Sequence, residues 1–343
     1  MALRRALAFL AALAAVPGAA AAQAVRPWTE AVVSVRDFAS LAGLLRDVGG
    51  WRVTGAGNVN RRELDYWRLP TRVTARFQRL CAPAATTGCI RLVRFEGAPQ
   101  RPVRLALRPW DTGGIFSLMF RSNDVQRVFD AAIARGWWAE SQPIAFSFGG
   151  SDLRNVVLTG PHGINFALYQ RVSPPFTAFP VGTLSQAFNS MRMVRDQPAS
   201  LAYYRDRLGM QIVFDAPYRD TAAGPSNFSL PQNLTTQIVR QAAALQPVPG
   251  ETGRVEVMQF VGLAGRDESR HAVPPNLGIL TVRYPVADLA AWRARLQGQG
   301  VTPVYEARRV PIGGIGRVDM LAVRDPDGSL TEFYQAGTEG LAG

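Results

Sequence analysis

Val194-Arg195-Asp196, followed by Ala199-Ser200-Leu201-Ala202 and Arg205-Asp206, repeats Val35-Arg36-Asp37, Ala39-Ser40-Leu41-Ala42 and Arg46-Asp47. Leu230-Pro231 likewise repeats Leu69-Pro70. Gly253-Arg254-Val255-Glu256-Val257 repeats Gly88-Cys89-Ile90-Arg91-Leu92, and Asp325-Pro326-Asp327-Gly328 repeats Gly160-Pro161-His162-Gly163. The offset starts at 194 − 35 = 159 and ends at 328 − 163 = 165. So slow a drift is what a duplicated domain with small loop insertions produces. A repeat of this kind decides the architecture before any single residue does.

Each half divides again. In the first quarter the alternation of 31–35 reads as a strand and the apolar spacing of 40–48 as a helix, with strands over 51–53 and 90–95. The second has a strand over 115–120, a helix over 124–135 with Asn123 as its N-cap, and strands over 156–158 and 164–169. The third has a strand over 191–194, a helix over 200–208 closed by Gly209, and strands over 211–213 and 255–260. The fourth has a strand over 279–283, a helix over 286–297, and strands over 304–307, 318–323 and 330–334. Residues 235–245 read as an extra helix, placed to cover the C-terminal cup like a lid. Asp325-Pro326-Asp327-Gly328 has the preferences of a type I turn and is given a structural part only.

The 343 residues suit about two domains. With 47% hydrophobic and 19% charged residues, the chain can bury packed cores and is not of the disordered class. Arg4-Arg5, an apolar run over 6–16 and Ala20-Ala21-Ala22 before Gln23 read as an export signal over 1–22. That run is too short to span a bilayer. The expected location is therefore periplasmic or secreted, without stable membrane insertion. A net charge of +12 would attract anionic partners, yet the basic residues form no run interleaved with aromatics, and no nucleic-acid partner is expected. Cys81 and Cys89 are the only cysteines. In an exported chain they read as a disulfide across a hairpin loop, worth about 2–3 kcal/mol, with two free thiols as the alternative. A small-molecule ligand is the expected partner, and a homo-oligomer stays open.

The fourfold strand–helix–strands unit, the Tyr-x-x-x-Leu-Gly run from Tyr204 to Gly209, and Asp325-Pro326-Asp327-Gly328 followed by Glu332-Phe333 resemble the vicinal oxygen chelate superfamily. That group includes glyoxalase I, bleomycin-resistance proteins and extradiol dioxygenases. The resemblance implies an α+β fold, four βαβββ units forming two tandem curved-sheet (cup-like) domains. An N-terminal glyoxalase-like domain takes 27–171, a linker 172–182, and a C-terminal glyoxalase-like domain 183–336. Consecutive units are expected to pair, so that each half of the chain encloses one cup.

The resemblance also implies four inward positions in each cup, the places where metal-using members hold their ligands. They fall on Asn189, Glu256, Ile279 and Glu332 in the C-terminal domain, and on Glu30, Arg91, Ile115 and Ala167 in the N-terminal one. None is histidine, and isoleucine binds no metal. No cofactor is therefore expected, and a divalent metal at Glu256 and Glu332 is kept as an alternative. His162 and His271 read as solvated loop residues.

Glu256 and Glu332 form the expected catalytic pair. Strand alternation puts Arg254, Glu256, Met258 and Phe260 on one face, and Leu330, Glu332 and Tyr334 on another, with valines and Phe333 opposite. Two carboxyls in one apolar cup would have raised pKa values suited to moving a proton beside a carbonyl. The opposing reading has them neutralised by an arginine such as Arg254 or Arg192. Asn189, Met258, Thr281 and Tyr334 are expected to line the substrate site. Arg91 is read as pairing with Glu30 and closing an inert N-terminal cup, the alternative being a fork for a substrate carboxylate or phosphate. Gly313-Gly314-Ile315-Gly316 reads as a lip of the cup. The function expected is that of an exported glyoxalase-like protein whose C-terminal cup binds a small oxygenated molecule, with metal-independent lyase or isomerase chemistry. The alternative is a non-catalytic small-molecule binder of the bleomycin-resistance type.

Overall fold

The first unit holds β1 (Glu30–Ser34), α1 (Ala39–Gly43), β2 (Arg52–Asn58), α2 (Arg61–Tyr66), β3 (Thr74–Cys81) and β4 (Cys89–Glu96). The second holds β5 (Ser117–Arg121), α3 (Val125–Ile133), β6 (Trp138–Ala139), β7 (Ile144–Phe148), β8 (Ser151–Thr159) and β9 (Asn165–Ser173). The third holds β10 (Ala187–Met193), α4 (Gln197–Ala202), β11 (Gln211–Tyr218), β12 (Arg240–Gln246) and β13 (Arg254–Phe260). The fourth holds β14 (Gly278–Pro285), α5 (Leu289–Gly298), β15 (Tyr305–Ile312), β16 (Gly316–Arg324) and β17 (Leu330–Ala336). This is a computed structural model that describes residues 25–104 and 108–337. The expected export signal lies outside the described residues.

One local device opens the main helix of every unit. An aspartate accepts the N–H three residues on: Asp37 from Ser40 (2.8 Å), Asp124 from Arg127 (3.0 Å), Asp196 from Ala199 (2.9 Å) and Asp288 from Ala291 (2.9 Å). Each satisfies a donor that the first helical turn leaves open. Asp124, not Asn123, is therefore the cap of α3. The glutamines of the repeated Tyr-Gln pairs serve the same helix ends: Gln170 accepts from Val125 N (3.2 Å) and Gln335 from Leu289 N (2.9 Å).

The extra helix expected over 235–245 is not formed. Its second half is β12, and Gln232–Leu234 makes a single 3-10 turn. In β12, Ala242 faces one apolar cluster while Ala243 and Leu245 face another. That period of two is invisible in a run of alanines, whose helix propensity then misleads.

An eight-stranded sheet runs β15-β16-β17-β14-β1-β4-β3-β2, and a nine-stranded one runs β11-β12-β13-β10-β5-β9-β8-β6 with β7 on β8. The architecture is α+β, four units in two curved sheets. The partners differ from those expected. The first unit joins the fourth through antiparallel β1 and β14, and the second joins the third through β5 and β10. Each half of the chain thus gives one unit to each sheet. Periodicity could not decide this, because every unit opens on a strand of the same pattern, able to pair with any other such strand.

The helix-bearing faces of both sheets meet in one apolar layer that includes Leu41, Phe129, Tyr204, Trp292 and Phe333. Their other faces form two concave interiors, one holding Val32, Phe77, Leu330 and Tyr334, the other Met119, Met191, Met258 and Phe260. Two matching hydrogen bonds tie the units of each half together. His162 Nε2 accepts the Arg36 N–H at 3.2 Å, and Asp327 Oδ1 accepts the Arg195 N–H at 3.2 Å. Tyr204 donates to Asp325 at 2.7 Å, so the Asp325–Gly328 turn is a structural joint. A disulfide joins Cys81 at the end of β3 to Cys89 at the start of β4. His271 is not a solvated loop residue: it is buried, with Nδ1 2.7 Å from Glu268 and Nε2 3.2 Å from Arg101. Among the described residues, no helix is long and apolar enough to cross a membrane.

Candidate functional site

Strand register matches the two cups position by position. In the eight-stranded sheet, Glu30 faces Arg283, Arg283 pairs with Glu332, and Val32 pairs with Arg91. In the other, Asn189 faces Met119, Met119 pairs with Ala167, and Met191 pairs with Glu256. The inward sets are therefore Glu30, Arg91, Arg283 and Glu332 in one cup, and Asn189, Glu256, Met119 and Ala167 in its twin. Glu256 and Glu332, expected as a pair, belong to different cups. A shared substrate or metal is excluded for them, since the helix-bearing apolar layer separates the two interiors. Ile279 and Ile115 lie in that layer rather than in a cup. Each falls four residues short of the inward position, 283 − 279 and 119 − 115.

The cup of Glu332 is closed by charge pairing. Arg283 donates from Nε to Glu332 (2.7 Å), from Nη1 to Glu30 (3.0 Å) and from Nη2 to Glu63 (2.9 Å). The remaining carboxylate oxygens accept from Trp67 Nε1 on Glu332 (2.8 Å), Arg79 on Glu30 (2.9 Å) and Arg91 on Glu63 (3.0 Å). Every oxygen of the three carboxylates thus has a donor. Burial alone would lower the pKa of Arg283, but Glu332, Glu63 and Glu30 outweigh it and hold that pKa well above its ordinary value. Arg91 also donates to the Gly313 carbonyl at 2.7 Å and stacks 3.8 Å over Phe77, which brings the Gly313–Gly316 lip down on the cup. Carboxylates paired in this way hold one arrangement, and none of the three is left free for chemistry. Arg91 closes its cup as expected, but its partner is Glu63 rather than Glu30, and Glu332 is neutralised by Arg283 rather than by Arg254 or Arg192. Thr281 and Tyr334 also belong here: Tyr334 Oη lies 3.1 Å from Thr29 Oγ1, and Thr281 donates to the Val282 carbonyl at 3.3 Å.

The twin cup is built differently. Asn189 donates from Nδ2 to Glu256 Oε2 (3.0 Å) and to Met119 Sδ (3.2 Å), while its Oδ1 accepts the Ser190 N–H at 2.8 Å. Among the described residues, none donates to Glu256 Oε1. Met119, Met191, Met258, Phe116 and Phe260 make up the surrounding wall. Burial pushes the Glu256 carboxyl up to about 7, against the pull of the Asn189 hydrogen bond and the Arg254 charge. Burial and the Glu256 charge likewise raise the Tyr169 hydroxyl on β9. A carboxyl that changes charge near neutrality, in an apolar cup with one oxygen unpaired, is equipped to accept or give a proton.

The loop over 219–239 covers this cup. Phe228 packs against Phe116 and Phe260, with ring centroids 6.4 and 5.6 Å apart, and Asn227 anchors the loop to Asn155 Oδ1 at 2.7 Å. A cover was expected here, but as a helix further along the chain. A cavity of about 510 Å³ opens where β13 begins, lined in part by Phe179, Gln186, Gln246, Glu251 and Arg254.

Asn189, Glu256 and Met258, expected in one cup, do lie in one cup. Arg283 and Glu63, which decide the state of the other cup, were not among the expected residues. Arg283 carried a signal: Val282 and Tyr284 face the apolar layer, so alternation turns Arg283 inward. Glu63 stands three residues after the helix cap Asn60, whose side chain accepts the Arg62 N–H at 2.9 Å, a recognisable helix start.

Neither cup fits a divalent metal. In one, the carboxylates already hold a guanidinium. In the other, Met119 and Ala167 leave one carboxyl and one amide. Among the described residues, no group of three or more His, Cys, Asp or Glu side chains is placed to hold a metal ion.

The fold has solved counterparts. Glyoxalase I from Zea mays aligns with a TM-score of 0.58 at 15% identity, over 90% of this chain and 92% of that one. A putative dioxygenase from Bacillus subtilis subsp. subtilis str. 168 gives 0.55 at 11% identity, over 92% of this chain and 86% of that one. At these identities the likeness is one of fold. No curated protein matches the chain. Residues 188–333, the third and fourth units, match the sequence profile of the Glyoxalase/Bleomycin resistance protein/Dioxygenase superfamily.

Proposed function

We propose that the cup of Glu256 binds a small oxygenated molecule and that Glu256 exchanges a proton with it. The observation that carries this reading is the Glu256 carboxyl itself, raised to about 7 by burial, with Oε1 open to a ligand. In its ionised form it would take a proton from a carbon beside a carbonyl, the C–H electrons passing into an enolate. The resulting acid would return that proton to another carbon of the same molecule, the balance of an isomerase step. A single carboxyl suffices for this, so the loss of Glu332 as a partner does not remove the chemistry. Binding without turnover is the second reading, favoured by the methionine-rich wall, which adapts to varied apolar shapes. The export run over 1–22 adds a periplasmic or secreted location to the proposal.

Native mass spectrometry of the full chain recovered from the cells that make it tests the binding reading. Wild type should carry one small organic molecule, and Met119→Trp, which fills the cup, should lose it. A molecule retained by Met119→Trp would place binding elsewhere. Incubation in D2O then separates the two readings. Turnover predicts deuterium entering the ligand with wild type and not with Glu256→Gln, and binding alone predicts none with either.

A further inference from the structure

Three guanidinium groups gather at one edge of the Glu256 cup. Arg121 ends β5, Arg254 begins β13, and Arg171 lies near the end of β9. Because β5 runs parallel to β9 and antiparallel to β10, which runs parallel to β13, these positions meet at one end of four neighbouring strands, on the rim of the cup. Arg121 is only 7% exposed, and its Cζ sits 4.6 Å from the Phe176 ring centroid and 4.7 Å from that of Phe188. Arg171 lies over the same Phe176 ring at 5.4 Å.

Their charge is poorly balanced. Among the described residues, Glu251 is the one carboxylate in ion-pair contact with any of the three, at 2.9 Å from Arg121 and 3.2 Å from Arg254. The Nε atoms of Arg121 and Arg171 are buried and have no partner. Buried donors are normally satisfied, and although Arg91, Arg104, Arg192 and Arg240 also carry orphan nitrogens, here two such arginines share the Phe176 ring and only one carboxylate. An open depression of about 510 Å³ is lined by Arg254 and by Glu251, the partner of Arg121, with Phe179 as its apolar wall.

We infer that this edge is a binding site for the carboxylate group of a small organic acid. The planar guanidinium fork matches a carboxylate in shape and charge. Glu251 already shows the interaction, its carboxylate bridging Arg121 and Arg254 in the place that a ligand carboxylate would share or take. Arg254 and Glu256 lie on the same face of β13, two residues or about 7 Å apart along the strand. An acid held at the arginines would therefore reach Glu256 with a carbon a few bonds from its carboxylate. This rests on the reading of the Glu256 cup as a binding site and adds that its ligand is an anion.

Isothermal titration of the full chain at pH 7.5 with benzoate, and with neutral benzamide as its shape control, tests the inference. Benzoate should bind and benzamide should bind at least tenfold more weakly. Arg254→Gln should weaken benzoate at least tenfold. Glu251→Gln, which keeps shape and removes the resident charge, should tighten it several-fold. Failure of benzoate to bind both wild type and Glu251→Gln, or affinity indifferent to Arg254→Gln, would overturn the proposal. Benzoate binding that follows the arginines but leaves the Glu256 titration unmoved would uphold the anion site and sink its connection to Glu256.

Discussion

Arg283 donates to Glu332 across 2.7 Å, and the same guanidinium holds Glu30 and Glu63. Its positional twin in the other cup is Met119, which makes only a weak sulfur contact with Asn189 at 3.2 Å. Together with Asn189, Glu256 and Ala167 in place of Glu30, Arg91 and Glu332, that difference separates a cup locked by ion pairs from a cup with an open carboxyl. Arg283→Met should therefore leave three buried carboxylates without their common cation. Loss of one side of a buried ion pair costs about 3–5 kcal/mol. Urea unfolding at pH 7 should show a loss of that size, while a loss under about 1 kcal/mol would mean that the network is not holding the fold.

Glu256 makes stability depend on pH in a definite direction. The unfolded chain releases this proton near 4.5, whereas the native protein keeps it to about 7. Its contribution is full below pH 4.5, declines as pH rises from there to 7, and is constant beyond. The difference, at about 1.36 kcal/mol per pH unit, comes to about 3 kcal/mol. Glu256→Gln should remove this slope, so its unfolding free energy relative to wild type should rise by about 3 kcal/mol between pH 4.5 and 8. Parallel pH curves for the two proteins would contradict the assignment.

Phe228→Ala should cost about 3 kcal/mol, since it empties a ring-sized space between Phe116 and Phe260 in the cup's cover. The enlarged cup should also take up apolar probes that wild type excludes, as seen by fluorescence of a bound naphthalene dye. A neutral effect on both would mean that the 219–239 loop rests outside the cup.

Reduction of Cys81–Cys89 should destabilise the protein by about 2–3 kcal/mol, because the bridge closes a short loop between adjacent strands β3 and β4. Thermal unfolding with and without a thiol reductant measures it, and Cys81→Ser with Cys89→Ser should reproduce the reduced value without reductant.

Local chemistry in this chain is legible from its sequence, and long-range pairing is not. Alternation over 254–260 correctly turned Glu256 and Met258 into a cup and left Val255 and Val257 in the apolar layer. The same rule turned Glu332 inward beside Leu330 and Tyr334. What alternation cannot carry is which unit lies next to which. The first strands β1, β5, β10 and β14 are interchangeable in pattern, and the chain joins first to fourth and second to third. The Glu256–Glu332 pair was lost for that reason alone. Glu63 escaped notice because it enters its cup from α2, in a stretch to which the sequence reading assigned no element, and an ion network has no period to betray it.

Everything proposed for this protein turns on Glu256, a carboxyl poised near neutrality in a mainly apolar cup. Carbon-13 NMR of side-chain carboxyls in glutamate-labelled protein measures this directly, with Glu256→Gln identifying the resonance. A midpoint near 7 that moves further up in Asn189→Leu is the result predicted, because that variant removes the one hydrogen bond favouring the charged form. A midpoint near 4.5, insensitive to Asn189, would contradict it.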